Sequence, residues 1–133
     1  MISWDTTFLI RYLVKEDDPK QTETVYQNLL KEQKKARPVF IASIALCETV
    51  WVLRFSYKLE KRSIATVLKH LLDDPNFHFE DSALFQKALE LYTSSKGDFS
   101  DYLIGLTAKE TVQAQATHTF DKALKSCPLF EVH

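Results

Sequence analysis

The chain has 133 residues, 45% of them hydrophobic and 26% charged, with only two Gly and four Pro. That is the composition of one globular unit made mostly of regular structure, too short for two independent cores. A formal net charge of −1 excludes the global basic field that by itself marks a nucleic-acid binder, so any such site must be a local patch.

The N-terminal "MISW" is a short apolar run ended by Asp5, and "TTFLIRYLV" places Phe8, Leu9, Tyr12 and Leu13 at helical spacing. This predicts a strand, a cap and a helix closing near "KEDDP". Pro19 suits the first turn of a second helix carrying Val25, Leu29 and the basic tail "KEQKKAR". After Pro38, "VFIASI" is apolar on both faces, as in a strand of a parallel sheet. From Ser43 the period turns helical through "ALCETVWVLRFSYKL". Hydropathy makes Ile41–Phe55 the expected most buried segment. "EKRSIATVLKHLLDD" has Ile64, Val67, Leu68 and Leu71 on one helical face and stops at Asp74 and Pro75. "NFHFED" alternates as a brief strand, "SALFQKALELYTSS" is helical, and Gly97 separates it from the helix in "DFSDYLIGLTAKETV". "QATHTF" then reads as a strand, "DKALKS" as a helical turn and "LFEV" as a last strand. The order βααβααβααβαβ predicts an α/β fold: a single three-layer α/β/α domain spanning 1–133, with a central, mostly parallel sheet.

The N-terminal segment lacks a basic region followed by a cleavable apolar run, and no stretch approaches the roughly 20 apolar residues of a membrane span. A soluble cytoplasmic protein is expected. Cys47 and Cys127 lie far apart with no CxxC and no histidine at ligand spacing, which points to buried reduced thiols rather than a disulfide or a zinc site.

Asp5, Ser43 and Asp121 each stand where an apolar strand hands over to a helix. In a parallel sheet with right-handed crossovers such junctions gather along one edge. Asp and Ser are also preferred N-caps, a role that needs no chemistry. Glu48 resists that account: Ile44, Ala45, Trp51 and Val52 surround it on the helix, and a buried carboxylate is normally paired or bound to metal. With Ser43 as cap, Glu48 lies in the early turns, facing the same edge. Asp98 and Asp101 in "GDFSD" form an acidic variant of the capping box. Several such acids on one edge repel, by roughly 3 kcal/mol for two charges about 5 Å apart at an effective dielectric of about 20, and a cation removes that cost. Oxygen donors without Cys or His select hard ions, so Mg2+ or Mn2+ is the expected cofactor.

"DTTFLIRYLVKED", "ALCETVWVL", "DFSDYLIGLTA" and "THTFDKAL" resemble, in order and spacing, the four acidic motifs of the PIN-domain nucleases, closest to the VapC-type toxins of bacterial toxin–antitoxin pairs. The resemblance covers nearly the whole chain. It implies a metal-dependent endoribonuclease with Asp5, Glu48, Asp101 and Asp121 as catalytic metal ligands and Asp98 as an accessory acid. Thr6 and Thr119 match the family's supporting polar residues. Thr7 departs from it, since many relatives carry Asn there, which puts one outer hydrogen bond in doubt. The resemblance further implies a homodimer, a cognate antitoxin and structured RNA, such as transfer RNA, as substrate.

Positive charge for RNA is expected first at Arg11 and Lys122, which follow acidic motifs, with Lys15, Lys31, Lys34, Lys35, Arg37, Lys61 and Arg62 as further candidates. His70, His78, His118 and His133 show no paired spacing and read as structural or surface residues. Tyr12, Leu13, Trp51 and Phe55 are candidates for an antitoxin groove, although aromatic stripes at helical spacing are more often core. Two rival readings are weighed. A receiver-type signalling domain predicts adjacent acids after the first strand, where this chain has Asp5 and two threonines. A catalytically inactive PIN-like binding module predicts a lost acid, and all four are present.

Overall fold

The structure is a computed structural model that describes residues 1–133, and it divides into two compact units, Met1–Ser82 and Ala83–His133.

In the first unit, helix α1 (Thr6–Leu13) is capped by Asp5 and helix α2 (Pro19–Lys34) by Asp18, with Pro19 in the first turn. Strand β1 (Val39–Ile41) leads into helix α3 (Ser43–Phe55), then helix α4 (Lys61–Leu72) and strand β2 (Phe77–Phe79). β1 and β2 pair in parallel with Val39 opposite Phe77, so the connection through α3 and α4 is a crossover, as parallel pairing requires. The expected first strand shrinks to a bridge: Ser3 pairs with Phe40, through bonds Trp4 N–H to Phe40 O and Phe40 N–H to Ile2 O.

The core of this unit is Leu9, Val39, Ile41, Leu46, Ile64 and Leu68, all inaccessible to solvent. Beside it Trp4 meets Phe8 and Phe77 edge to face, a favoured arrangement of ring quadrupoles, and its indole N–H donates to Asn28 Oδ1 at 2.8 Å. One polar group was not expected inside: Glu32 is 4% exposed, with Lys35 and Arg37 each 3.8 Å from its carboxylate.

In the second unit, helix α5 (Ser82–Ser94), helix α6 (Phe99–Val112), strand β3 (Thr117–Thr119), a 3-10 turn (Lys122–Leu124) and strand β4 (Phe130–Val132) follow one another. β3 and β4 are parallel, with Thr117 opposite Phe130. Phe85, Tyr92, Phe99, Tyr102 and Leu124 form the buried centre. Gly105, in the middle of α6, lets the helix lie against β4: a Cβ built there would stand 2.8 Å from Phe130 Cζ and 3.2 Å from Leu129 Cβ.

Apart from that first strand, the element order is the one expected from the sequence, and the strands pair in parallel. Two expectations about α3 need correction. Its first turn is not capped by Ser43. Ala42 holds the cap position without a side-chain bond, and the Ser43 N–H instead donates to Glu80 Oε1 at 2.9 Å, from beyond β2. Nor is the helix buried all round: Ala45, Leu46, Thr49, Val50 and Leu53 face inward, while Ile44 (70% exposed), Trp51 and Phe55 lie open. Cys47 is half-buried and Cys127 buried, and neither is in a disulfide.

Candidate metal centre

Asp5 is fixed by its own turn. One oxygen, Oδ1, accepts the Thr7 hydroxyl at 2.6 Å and the Phe8 N–H at 3.1 Å. The Thr7 bond is the main reason its carboxyl sits below the ordinary range, with the Phe8 N–H next and burial opposing. Thr7, where many relatives carry Asn, thus bonds directly to the first acid.

Glu48 stands beside this turn, because Thr6 Oγ1 donates to Glu48 Oε1 at 3.1 Å. The two acidic motifs, 42 residues apart, meet through that hydroxyl. The burial expected of Glu48 is not found. Residues 44, 48, 51 and 55 fall on one stripe of α3, and that stripe faces solvent. Its neighbours are apolar as the sequence indicates, yet they do not enclose it, so a lowered dielectric is no part of its chemistry.

In the second unit the acids gather around the start of α6. Asp98 caps the helix and Asp101 completes a capping box, its Oδ2 accepting the Asp98 N–H at 3.1 Å. The capping role and a ligand role are compatible. Asp101 is held above the ordinary carboxylate range: burial is the largest cause, the Asp98 N–H opposes it, and the charges of Asp121 and Asp98 push it further up. Asp121 lies past the end of β3, where its N–H donates to Thr119 Oγ1 at 3.0 Å and its Oδ1 accepts the Ala123 N–H at 2.9 Å. Thr119 therefore steadies the backbone of the acid rather than its carboxylate.

The donor set fits a hard divalent ion. Every candidate is a carboxylate with hydroxyls behind it and no sulfur, and the mutual repulsion felt by Asp101 is what a cation relieves. In each of Asp5, Glu48, Asp101 and Asp121 one carboxylate oxygen is engaged in the bonds above.

The basic candidates separate. Arg11 is committed inside the first unit: Nε donates to Gln21 Oε1 at 2.7 Å, Nη1 to the Tyr57 hydroxyl at 3.1 Å, and Asp17 lies 3.7 Å away. It lines a groove of about 580 Å³ that begins at Thr6 and Thr7 and runs between α1, α2 and α3. Lys35 and Arg37 face Glu32, whereas Lys122 is exposed next to Asp121. Residues that sequence reasoning missed are Glu80, which serves α3 from another segment, and Thr7 as a carboxylate partner. The hydroxyl two positions after Asp5 was a signal for the second. Nothing local pointed to the first.

The PIN domain family model matches residues 2–128. A VapC ribonuclease of Aquifex aeolicus (strain VF5) is 30% identical over 106 residues, which is 80% of this chain and 77% of that protein. No solved structure matches. The α/β order, the parallel pairing and the acidic motifs in sequence thus agree with the family match, and the chain belongs to the PIN-domain family.

Proposed function

We propose that the chain is a divalent-metal-dependent endoribonuclease, the toxin of a toxin–antitoxin pair, hydrolysing phosphodiester bonds in structured RNA such as transfer RNA. The observation that carries this reading is the Thr6–Glu48 bond. Capping explains Asp5, Asp98 and Asp121 one by one, but no cap requires an exposed glutamate on a different helix to be held beside the first of them. Kinship to the VapC ribonuclease of Aquifex aeolicus supports the same reading.

The ligands proposed are Asp5, Glu48, Asp101 and Asp121, with Asp98 accessory. A Mg2+ or Mn2+ ion, when bound, lowers the pKa of water and neutralises charge on the attacked phosphate. The chain's own residues aim the carboxylates: Thr7 and the Phe8 N–H fix Asp5, Thr6 fixes Glu48, and the Asp98 N–H fixes Asp101. Lys122, exposed beside Asp121, is the side chain proposed to meet the RNA backbone, ahead of Arg11, whose Nε and Nη1 are engaged by Gln21 and Tyr57. The proposed protein partners are a cognate antitoxin and a second copy of the chain, and the open apolar stripe of Ile44, Trp51 and Phe55 is the surface that supports them. No helix is long and apolar enough to cross a membrane, in keeping with the proposed cytoplasmic location.

The test is cleavage of total RNA by the purified chain with and without Mn2+, beside Asp5→Asn and Glu48→Gln. Metal-dependent cleavage lost in both variants is the expected result. Cleavage absent under every condition would instead make the chain an inactive PIN-like binding module.

A further inference from the structure

Three side chains able to ligate a metal lie together on the second unit, none of them among the acids that cap its helices. β3 and β4 run in parallel with His118 directly opposite Glu131, and His133 follows Glu131 by two residues. Residues two apart on a strand share a face, so all three project from the same side of the pair. The His133 N–H donates to Thr119 O at 3.0 Å, which continues the ladder to the last residue. His118 Nδ1 and His133 Nε2 are 2.6 Å apart with the rings stacked, and Glu131 Oε2 lies 3.9 Å from His118 Nε2. One ligand atom from each residue can be chosen so that all lie within 4.8 Å of one another.

The stacked, hydrogen-bonded histidines hold each other, but folding gains little from the carboxylate beside them. The His118–Glu131 pair is more than half exposed on both sides, and such pairs contribute little to folding. Two imidazoles brought nitrogen to nitrogen and a carboxylate beside them are instead the donors of a three-residue site for a borderline metal. A tetrahedral ion with bonds of about 2 Å needs ligand atoms about 3.3 Å apart. One ring nitrogen of His118 would serve as its donor, and exposed side chains reach that spacing by rotation from the present one, in which one ligand atom from each residue lies within 4.8 Å of the others.

We propose that His118, Glu131 and His133 form a binding site for a divalent transition-metal ion, Zn2+ foremost, with its fourth position open to water. Imidazole donors distinguish it from the all-carboxylate set, which favours Mg2+ or Mn2+. The ion would tie the end of β4 to β3, the strand that leads through Thr119 to Asp121. Zinc occupancy therefore stiffens the segment that presents that acid. The site does not depend on the nuclease reading and stands or falls separately.

The experiment is calorimetric titration of the 133-residue chain with Zn2+, beside the double variant Asp5→Asn/Asp101→Asn and the single variants His118→Gln and His133→Gln. One equivalent should bind to the wild-type chain and to the Asp double variant, and at least tenfold more weakly to each His variant. In the wild-type chain, Zn2+ should also shift the imidazole NMR signals of His118 and His133 while His70 and His78 stay in place, a readout that needs no substitution. Zn2+ uptake that disappears in the Asp double variant, that survives both His variants, or that moves His70 or His78 instead overturns the assignment.

Discussion

Replacing Gly105 with Ala sets two effects of known size against each other. In an open helix the change stabilises by about 1 kcal/mol, because Ala loses less backbone freedom than Gly. Here the added Cβ would stand 2.8 Å from Phe130 Cζ, 3.1 Å from Cε2 and 3.2 Å from Leu129 Cβ, where carbon pairs prefer about 3.5–4.0 Å. The ring must retreat by about 0.7 Å to restore that spacing, yet β4 holds its backbone in register and Tyr102 meets it edge to face. Overpacking of this kind costs about 1–3 kcal/mol, so the clash outweighs the helix gain and Gly105→Ala destabilises by about 1 kcal/mol. At about 2.1 cal/mol/K per residue, unfolding 133 residues releases about 280 cal/mol/K, and the Tm should fall by about 4 °C. The assay is thermal unfolding followed by circular dichroism, with Gly105→Ala/Phe130→Leu as partner. Shortening the ring should return at least ~0.5 kcal/mol as coupling. A rise in Tm of about 4 °C for the single variant would show that α6 does not lie close on β4, and the placement of Asp101 one turn earlier would lose its support.

Further outcomes follow from other contacts. Asp5 is held below the ordinary carboxylate range, so its ionised form favours the folded chain above that range, and the benefit is lost as pH falls through the folded-state value. Thr7→Val removes the largest cause, and the Asp5 carboxyl NMR titration should move to higher pH; an unmoved titration would refute the role of the hydroxyl. Asn28→Ala leaves the Trp4 indole N–H, in a ring only 3% exposed, without its acceptor, and should cost about 1–3 kcal/mol in urea unfolding. Glu32→Met should be neutral or stabilising, because Glu32 Oε1 is buried without a hydrogen bond and the basic neighbours stand at 3.8 Å. A loss greater than about 1 kcal/mol would mean that the ion pair outweighs its desolvation.

Much of the molecule was legible because its signals are local. Helical periods, Pro19 and Asp5 fixed the helices, and short apolar runs between turn residues marked the strands. Asp98 and Asp101 revealed their capping box by spacing alone. The failures share a physical origin in long-range packing. "MISW" reads as a strand but pairs through one bridge, since pairing depends on Phe40 rather than on its own residues. Ser43 is a good cap by type, yet Glu80 reached its N–H from 37 residues away. The stripe around Glu48 is apolar in sequence and open in space, because hydropathy cannot say which of two apolar faces on α3 the core selects. Likewise, His118 and His133 had no spacing to connect them until β3 and β4 were aligned.

Asp5, Glu48, Asp101 and Asp121 are each tethered to a donor through one carboxylate oxygen. For Asp5, Asp101 and Asp121 that donor lies within three residues, so the aim of each group is built into its own turn and survives small movements of the rest. Glu48 alone depends on a hydroxyl from a distant helix. A loosening between α1 and α3 would therefore release Glu48 first, while the local tethers of the others stay in place.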